Sequence, residues 1–153
     1  MEQKDVFEPL YNRRMKKCPF CESKRVLEVN GLAYVLASDP RLTFGHLLVV
    51  PKRHIERPWE LNDEEALVVW RLVVKYQKLL VERVGAGCDV RENYRPFLSQ
   101  SRLKVDHVHW HLIPRTNKDE IYERSQIGEQ ELFEALVGGE LEKLRAILLL
   151  DQV

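Results

Sequence analysis

The chain has 153 residues, and its 24 basic and 24 acidic side chains cancel. That length suits one domain whose core needs no disulfides, and the neutral balance gives no global field to draw in nucleic acid or a membrane surface. Three cysteines, no basic-then-apolar leader and no apolar run near the roughly 20 residues of a membrane span read as a protein of a reducing compartment, the cytoplasm.

Residues 1–17 are charged, carry Arg13, Arg14, Lys16 and Lys17 without periodicity, and read as an arm leading into Cys18-Pro-Phe-Cys21. Short β-favouring runs at 25–29 and 32–37, split by Asn30-Gly31, predict a hairpin. After the break at Asp39-Pro40, the dense apolar run from His46 to Val50, closed by Pro51, suits a buried central strand. Lys52 and Arg53, which follow, read as a solvated face.

Asn62 with Glu65 three residues on predicts a capped helix start, reinforced by Asp63 and Glu64 at its positive end. Ala66, Val69, Trp70, Val73, Tyr76, Leu80 and Val84 then recur at three and four residues, one apolar stripe that Gly85 and Gly87 should end. A strand is expected at 94–98, and a polar loop at 99–104 delivers the chain into a strand at 106–115 that Pro114 closes. Residues 129–150 read as helix interrupted at Gly138-Gly139, with Leu141, Leu144, Ile147 and Leu148 as its apolar face. Connections too short for parallel crossovers make the class α+β with an antiparallel sheet.

The strand at 106–115 carries the chemistry. His107, His109 and His111 alternate with Val108, Trp110 and Leu112, so the three imidazoles should share one face over roughly 13 Å. Imidazole titrates near neutrality, attacks electrophiles and binds metals, so the row offers a nucleophile, an acid or base and a ligand. To present a lone pair to phosphorus, a histidine must be neutral, with an acceptor fixing its other nitrogen. Cys18-x-x-Cys21 taken alone is compatible with metal ligation, a redox pair or two buried cysteines; the charged residues before it are a poor buried strand of the kind a redox motif follows.

With these histidines, the segment Gly45-His-Leu-Leu-Val-Val-Pro-Lys-Arg-His-Ile55 and the cysteine pair, the sequence resembles the histidine triad family of nucleotide hydrolases and transferases. The match runs from about Cys18 to Arg115, and it divides the chain into an arm at 1–17, a histidine triad domain at 18–116 and a C-terminal helical extension at 117–153. The resemblance implies a five-stranded antiparallel sheet with one long helix, a homodimer whose sheets join, and attack by a histidine on the α-phosphate of a nucleotide. It implies that His109 is the nucleophile, that His111 hydrogen-bonds the phosphate or leaving group, and that His46 supports them from the neighbouring strand. It also implies structural zinc on Cys18, Cys21, His54 and His107.

The chain departs from the family before the triad, where most relatives place a glycine-rich turn with Gly-Gln-Ser or Gly-Gln-Thr. Arg102, Leu103 and Lys104 stand there instead, and Ser99-Gln100-Ser101 lies earlier. Arg102 or Lys104 is therefore expected to replace backbone donors by charge, and Ser101 is a further nucleotide-binding candidate. Asp39 lies near the family's ribose-binding acid, one residue closer to His46 than usual, with Ser38 the alternative in that register. The expected function is a nucleotidyl hydrolase or transferase acting on a nucleoside phosphoramidate or dinucleoside polyphosphate. The alternative is a non-catalytic, zinc-stabilised nucleotide-binding or partner-binding module.

Overall fold

The computed structural model describes residues 18–101, 103–125, 135 and 137–148. The arm expected at 1–17 and the helix expected at 129–134 lie outside them. Two units divide the chain, residues 1–121 and 122–153.

The first unit is a five-stranded sheet in the order β1-β2-β3-β5-β4: β1 (Val26–Asn30), β2 (Ala33–Ala37), β3 (Leu47–Pro51), β4 (Gly87–Glu92) and β5 (Trp110–Arg115). Every pairing is antiparallel. The hairpin joins β1 to β2 with Asn30 opposite Ala33, so its turn residues are Gly31 and Leu32, one position later than the Asn-Gly signal suggests. Between β3 and β4 the chain forms a 3₁₀ turn at Pro58–Glu60 and the long helix α1 (Asp63–Arg83). β5 then returns between β3 and β4, which places His111 on an interior strand, while His107 and His109 of the expected strand at 106–115 precede it.

The start of α1 follows from its sequence. Asn62 Oδ1 accepts from the Glu65 amide at 2.9 Å and Glu65 Oε2 accepts from the Asn62 amide at 3.0 Å, which satisfies two of the helix's orphan donors. Glu65 is nonetheless buried, because Arg53 grips both of its oxygens at 2.8 and 2.7 Å. Arg53 is solvated, as its sequence context suggests, and it is also engaged by this carboxylate. It ties the segment carrying His54 to the first turn of the helix.

Val69, Leu72, Val73 and Leu80 of α1 pack on Ala33, Val35, Leu47, Val49 and Leu112. Trp70, expected in this stripe, is 59% exposed, and Leu72 takes the inward position in its place. The opposite sheet face is covered by a second cluster, in which Cys18 and Phe20 lie against Tyr34, Leu36, Leu48 and Val50. The cysteine knuckle therefore closes the side of the sheet that the helix leaves open. Without such a cover, these strand residues would face water.

No strand forms at 94–98, where residues turn or bend; the strand is β4, ending at Glu92. Pro114 does not close β5 but sits within it, opposite Cys88 on β4. It is tolerated because the β3 to β5 pairing has already ended at Leu112. Gly45, at φ +81°, turns the chain into β3 so closely that a Cβ there would meet Val84 Cγ1 at 2.9 Å and Pro114 Cγ at 3.1 Å. Only glycine fits both the conformation and the space.

A short helix α2 (Glu120–Ser125) follows the sheet. In the second unit, α3 (Glu140–Leu148) starts after Gly139, whose φ of +88° lets the chain turn into it. Leu141 and Ile147 of its expected apolar face are exposed, and the side chains of Leu144 and Leu148 lie outside the described residues.

Candidate active site and metal-ligand cluster

Strand pairing places the histidines on the face away from α1. His111 lies opposite Leu48, a member of the knuckle-side cluster, while its neighbours Trp110 and Leu112 join the helix-side core. His107 and His109 precede the ladder, in a stretch anchored by the Val108 amide donating to the Ile55 carbonyl at 2.8 Å. The rings then run along the chain: His107 stacks near His54 at 4.7 Å between centroids, and His109 meets His111 at 4.7 Å.

At the first end of the row, Cys18, Cys21, His54 and His107 bring their ligand atoms within 4.8 Å of one another. Cys18 Sγ lies 3.4 Å from His107 Nδ1, Cys21 Sγ 3.4 Å from His54 Nδ1 and 3.6 Å from His107 Nδ1. A tetrahedral ion with bonds of about 2.3 Å to sulfur and about 2.1 Å to nitrogen requires S···N edges of about 3.6 Å, so the set matches that geometry. The Nε2–H of His107 donates to the Pro51 carbonyl at 2.9 Å, which turns the Nδ1 lone pair toward the sulfurs. Burial raises both thiols, but at Cys18 the imidazoles of His107 and His54 overcome it and draw the group down. Cys21 is held up by burial and by the adjoining Cys18 sulfur. A bound cation would supply the charge that lets both ionise, so these four residues can hold a metal ion.

At the other end, hydrogen bonds fix which nitrogen carries each proton. His109 Nδ1 lies 2.7 Å from the His107 carbonyl, an acceptor only, so Nδ1 bears the hydrogen and Nε2 the lone pair. The Leu42 amide donates to His46 Nδ1 at 3.1 Å, which makes His46 Nε2 the protonated nitrogen. That nitrogen donates in turn to His111 Nδ1 at 2.9 Å, leaving Nε2–H on His111 as a donor. The site thus presents one lone pair, on His109, beside one N–H, on His111. Phe20 of the knuckle packs edge-on against the His109 ring at 4.9 Å, linking the two ends of the row.

Electrostatics keep the rings neutral. Burial lowers His111 to about 3, with smaller contributions from His109, His46 and Arg91, and lowers His46 to about 4 together with His109 and Arg91. His109 is also lowered, by burial acting against its bond to the His107 carbonyl. A neutral imidazole keeps the lone pair that nucleophilic attack needs.

The remaining candidates are engaged locally. Asp39 pairs with Arg25 at 3.0 Å, and the neighbouring Ser38 hydroxyl donates to the Pro40 carbonyl at 2.8 Å. Ser101 Oγ accepts from the Leu103 and Lys104 amides at 3.1 and 3.2 Å, a turn-stabilising arrangement. The Lys104 ammonium pairs with Asp106 and lines a cleft of about 310 Å³ with Tyr94, Ser99 and Gln100. Arg102 lies outside the described residues. Sequence reasoning passed over Arg91, which β4 places directly opposite His111, and Asp89, which pairs with it at 2.9 Å. Their signal was a charged pair two residues apart, alternating with Cys88 and Val90, which pack against the helix-side core.

The depressed histidines set a pH dependence. Above the ordinary value of 6.5 the imidazoles are neutral in folded and unfolded chains alike, and below it the unfolded chain takes up protons that the folded site refuses until about pH 4 or 3. Thermal unfolding followed by circular dichroism should therefore show stability falling between about pH 6.5 and 4, with a shallower decline in the His46→Gln, His111→Gln double variant. An unchanged slope in that variant would remove these rings as the cause.

The HIT domain model matches residues 21–118. The chain is 32% identical over 127 residues to an uncharacterised HIT-like protein of Methanocaldococcus jannaschii, covering 78% of this chain and 95% of that one. It is 37% identical over 78 residues to the adenosine 5'-monophosphoramidase of Schizosaccharomyces pombe, covering 49% of this chain and 52% of the relative. The crystal structure of a histidine triad nucleotide-binding protein from Candida albicans superposes with a TM-score of 0.67 at 26% identity, over 88% of this chain and 96% of that one. With the alternating histidines set on an antiparallel five-stranded sheet, these likenesses establish that the chain belongs to the histidine triad (HIT) family.

Proposed function

We propose that the protein is a nucleotidyl hydrolase or transferase, in which His109 attacks the α-phosphate of a nucleoside phosphoramidate or dinucleoside polyphosphate. The observation that carries this reading is the pairing of tautomers, a lone pair on His109 Nε2 beside a donor on His111 Nε2. In the first step the Nε2–P bond forms as the bond from phosphorus to the leaving nitrogen or oxygen breaks, and the leaving atom keeps the electron pair; a phosphate departs as the oxyanion, and a nitrogen also takes up a proton from solvent and departs as the amine. His111 Nε2–H donates to a phosphoryl oxygen or to that leaving atom. In the second, water attacks phosphorus, the P–N bond breaks with its pair returning to His109, and nucleoside monophosphate and a proton are released. A phosphorylated acceptor in place of water makes the same adduct a transferase intermediate.

The phosphoramidase named among the relatives supports the amine-leaving form of this reaction. Asp39, Ser101, Arg102 and Lys104 are the candidates for holding the nucleotide. Zinc is the metal best suited to Cys18, Cys21, His54 and His107, since two sulfurs and two imidazoles make a closed tetrahedral set. There it would fasten the knuckle, and with it Phe20, over the sheet. Three cysteines that do not make a disulfide framework fit a reducing cytoplasm. An exposed stripe on α1, formed by Leu67, Trp70, Val74 and Val81, supports a homodimer.

Incubation with an α-³²P-labelled adenosine 5'-phosphoramidate should give an acid-labile protein adduct that His109→Ala lacks, with hydrolysis reduced by at least about a thousandfold. Full turnover by His109→Ala would contradict the proposal, and absence of adduct and turnover across phosphoramidates and polyphosphates would favour the binding module. Metal analysis of the purified protein should find about one zinc per chain, lost with part of the thermal stability in Cys18→Ser, Cys21→Ser. A metal-free wild type of equal stability would refute the zinc assignment.

A further inference from the structure

Arg91 places a cation beside the donor end of the histidine row. Residues directly opposite on antiparallel strands share a face with Cα atoms about 5 Å apart, and Arg91 is the β4 partner of His111. Its charge is felt by His111 and by His46 behind it. Along the chain leading into β5 the order is His107 with the knuckle, His109 with Phe20, then His111 with Arg91. The cation therefore stands at the His111 end of the row, away from Phe20.

Arg91 belongs to an ion-pair network at this end of the row. Its Nη2 bonds Asp89 Oδ2 at 2.9 Å, and the same oxygen also accepts from Arg115 Nη1 at 2.8 Å. Arg115 is itself held by Asp119, whose side chain is 8% exposed, through Nε at 2.5 Å. Asp89 links Arg91, which is 39% exposed, to the Arg115–Asp119 pair. If Arg91 turned from Asp89 to an anionic ligand, Asp89 would keep Arg115.

We propose that Arg91 is a specificity-determining residue that binds the anionic leaving group of a dinucleoside polyphosphate. This rests on the hydrolase reading above and deepens it. When His109 Nε2 bonds to the α-phosphorus, the broken P–O bond leaves its electron pair on a leaving phosphate that already carries negative charge. A guanidinium next to His111 stabilises that charge as it grows. A phosphoramidate leaves as an amine, which brings no such charge, so Arg91 distinguishes the two substrate classes.

The test compares the wild type with Arg91→Gln and Arg91→Lys on diadenosine triphosphate and adenosine 5'-phosphoramidate, with melting curves recorded for each variant. The ratio of kcat/KM for the triphosphate to that for the phosphoramidate should fall about tenfold or more in Arg91→Gln and recover in part in Arg91→Lys. A purely structural role would lower both substrates by one factor and leave the ratio unchanged, which would overturn the proposal. Wild-type activity on the phosphoramidate alone would overturn it as well. If the wild type formed no adduct with either substrate, the hydrolase reading itself would fail, and the role of Arg91 with it.

Discussion

A backbone N–H can only donate, and the Leu42 amide donates to His46 Nδ1. From this one contact the protonation of two side chains follows: His46 must carry its hydrogen on Nε2, His111 must accept at Nδ1, and His111 must then offer Nε2–H. The His107 carbonyl imposes the opposite tautomer on His109. Two neighbouring imidazoles with identical intrinsic chemistry thus present a lone pair and a donor, because hydrogen bonds that begin at backbone groups hold their other nitrogens. Burial adds to this by keeping the rings neutral.

The constraint depends on the fold at several points. Leu42 and His46 are brought together by a tight loop into β3 that requires Gly45 in the left-handed region, pressed against Val84 at the end of α1 and Pro114 on β5. His107 is fixed at both nitrogens, by the Pro51 carbonyl and by the cysteine sulfurs, so its own carbonyl is a rigid acceptor for His109. The cluster of Cys18, Cys21, His54 and His107 is therefore coupled to the chemistry through geometry alone. It positions the acceptor that orients His109 and carries Phe20 against that ring.

The alternation of the histidines, the cysteine pair and the capping box were legible in the sequence because each is a local pattern with a short period. What escaped was set by contacts between distant segments. β4 carries Gly87, Cys88, Asp89, Val90, Arg91 and Glu92, whose apolar alternation is only Cys88 and Val90 and whose every position is half-buried, so periodicity passes it over in favour of the aromatic-rich but proline-bearing stretch at 94–98. Arg91 acquires meaning only through its register with His111, which no single segment encodes. Trp70 lies at the margin of a helical stripe, and the sheet, not the helix, decides that Leu72 turns inward instead. Arg53 reads as a surface cation, and its pairing with Glu65 exists only once α1 brings that carboxylate against it.

Two-bond ¹H–¹⁵N correlation spectra of the histidine side chains test the central claim most directly, because they report which ring nitrogen carries hydrogen. At neutral pH the account predicts Nδ1–H on His109 and Nε2–H on both His46 and His111, with His109→Ala and His111→Asn spectra used to assign the signals. Nε2–H on His109, or a protonated imidazolium at His109 or His111, would contradict it.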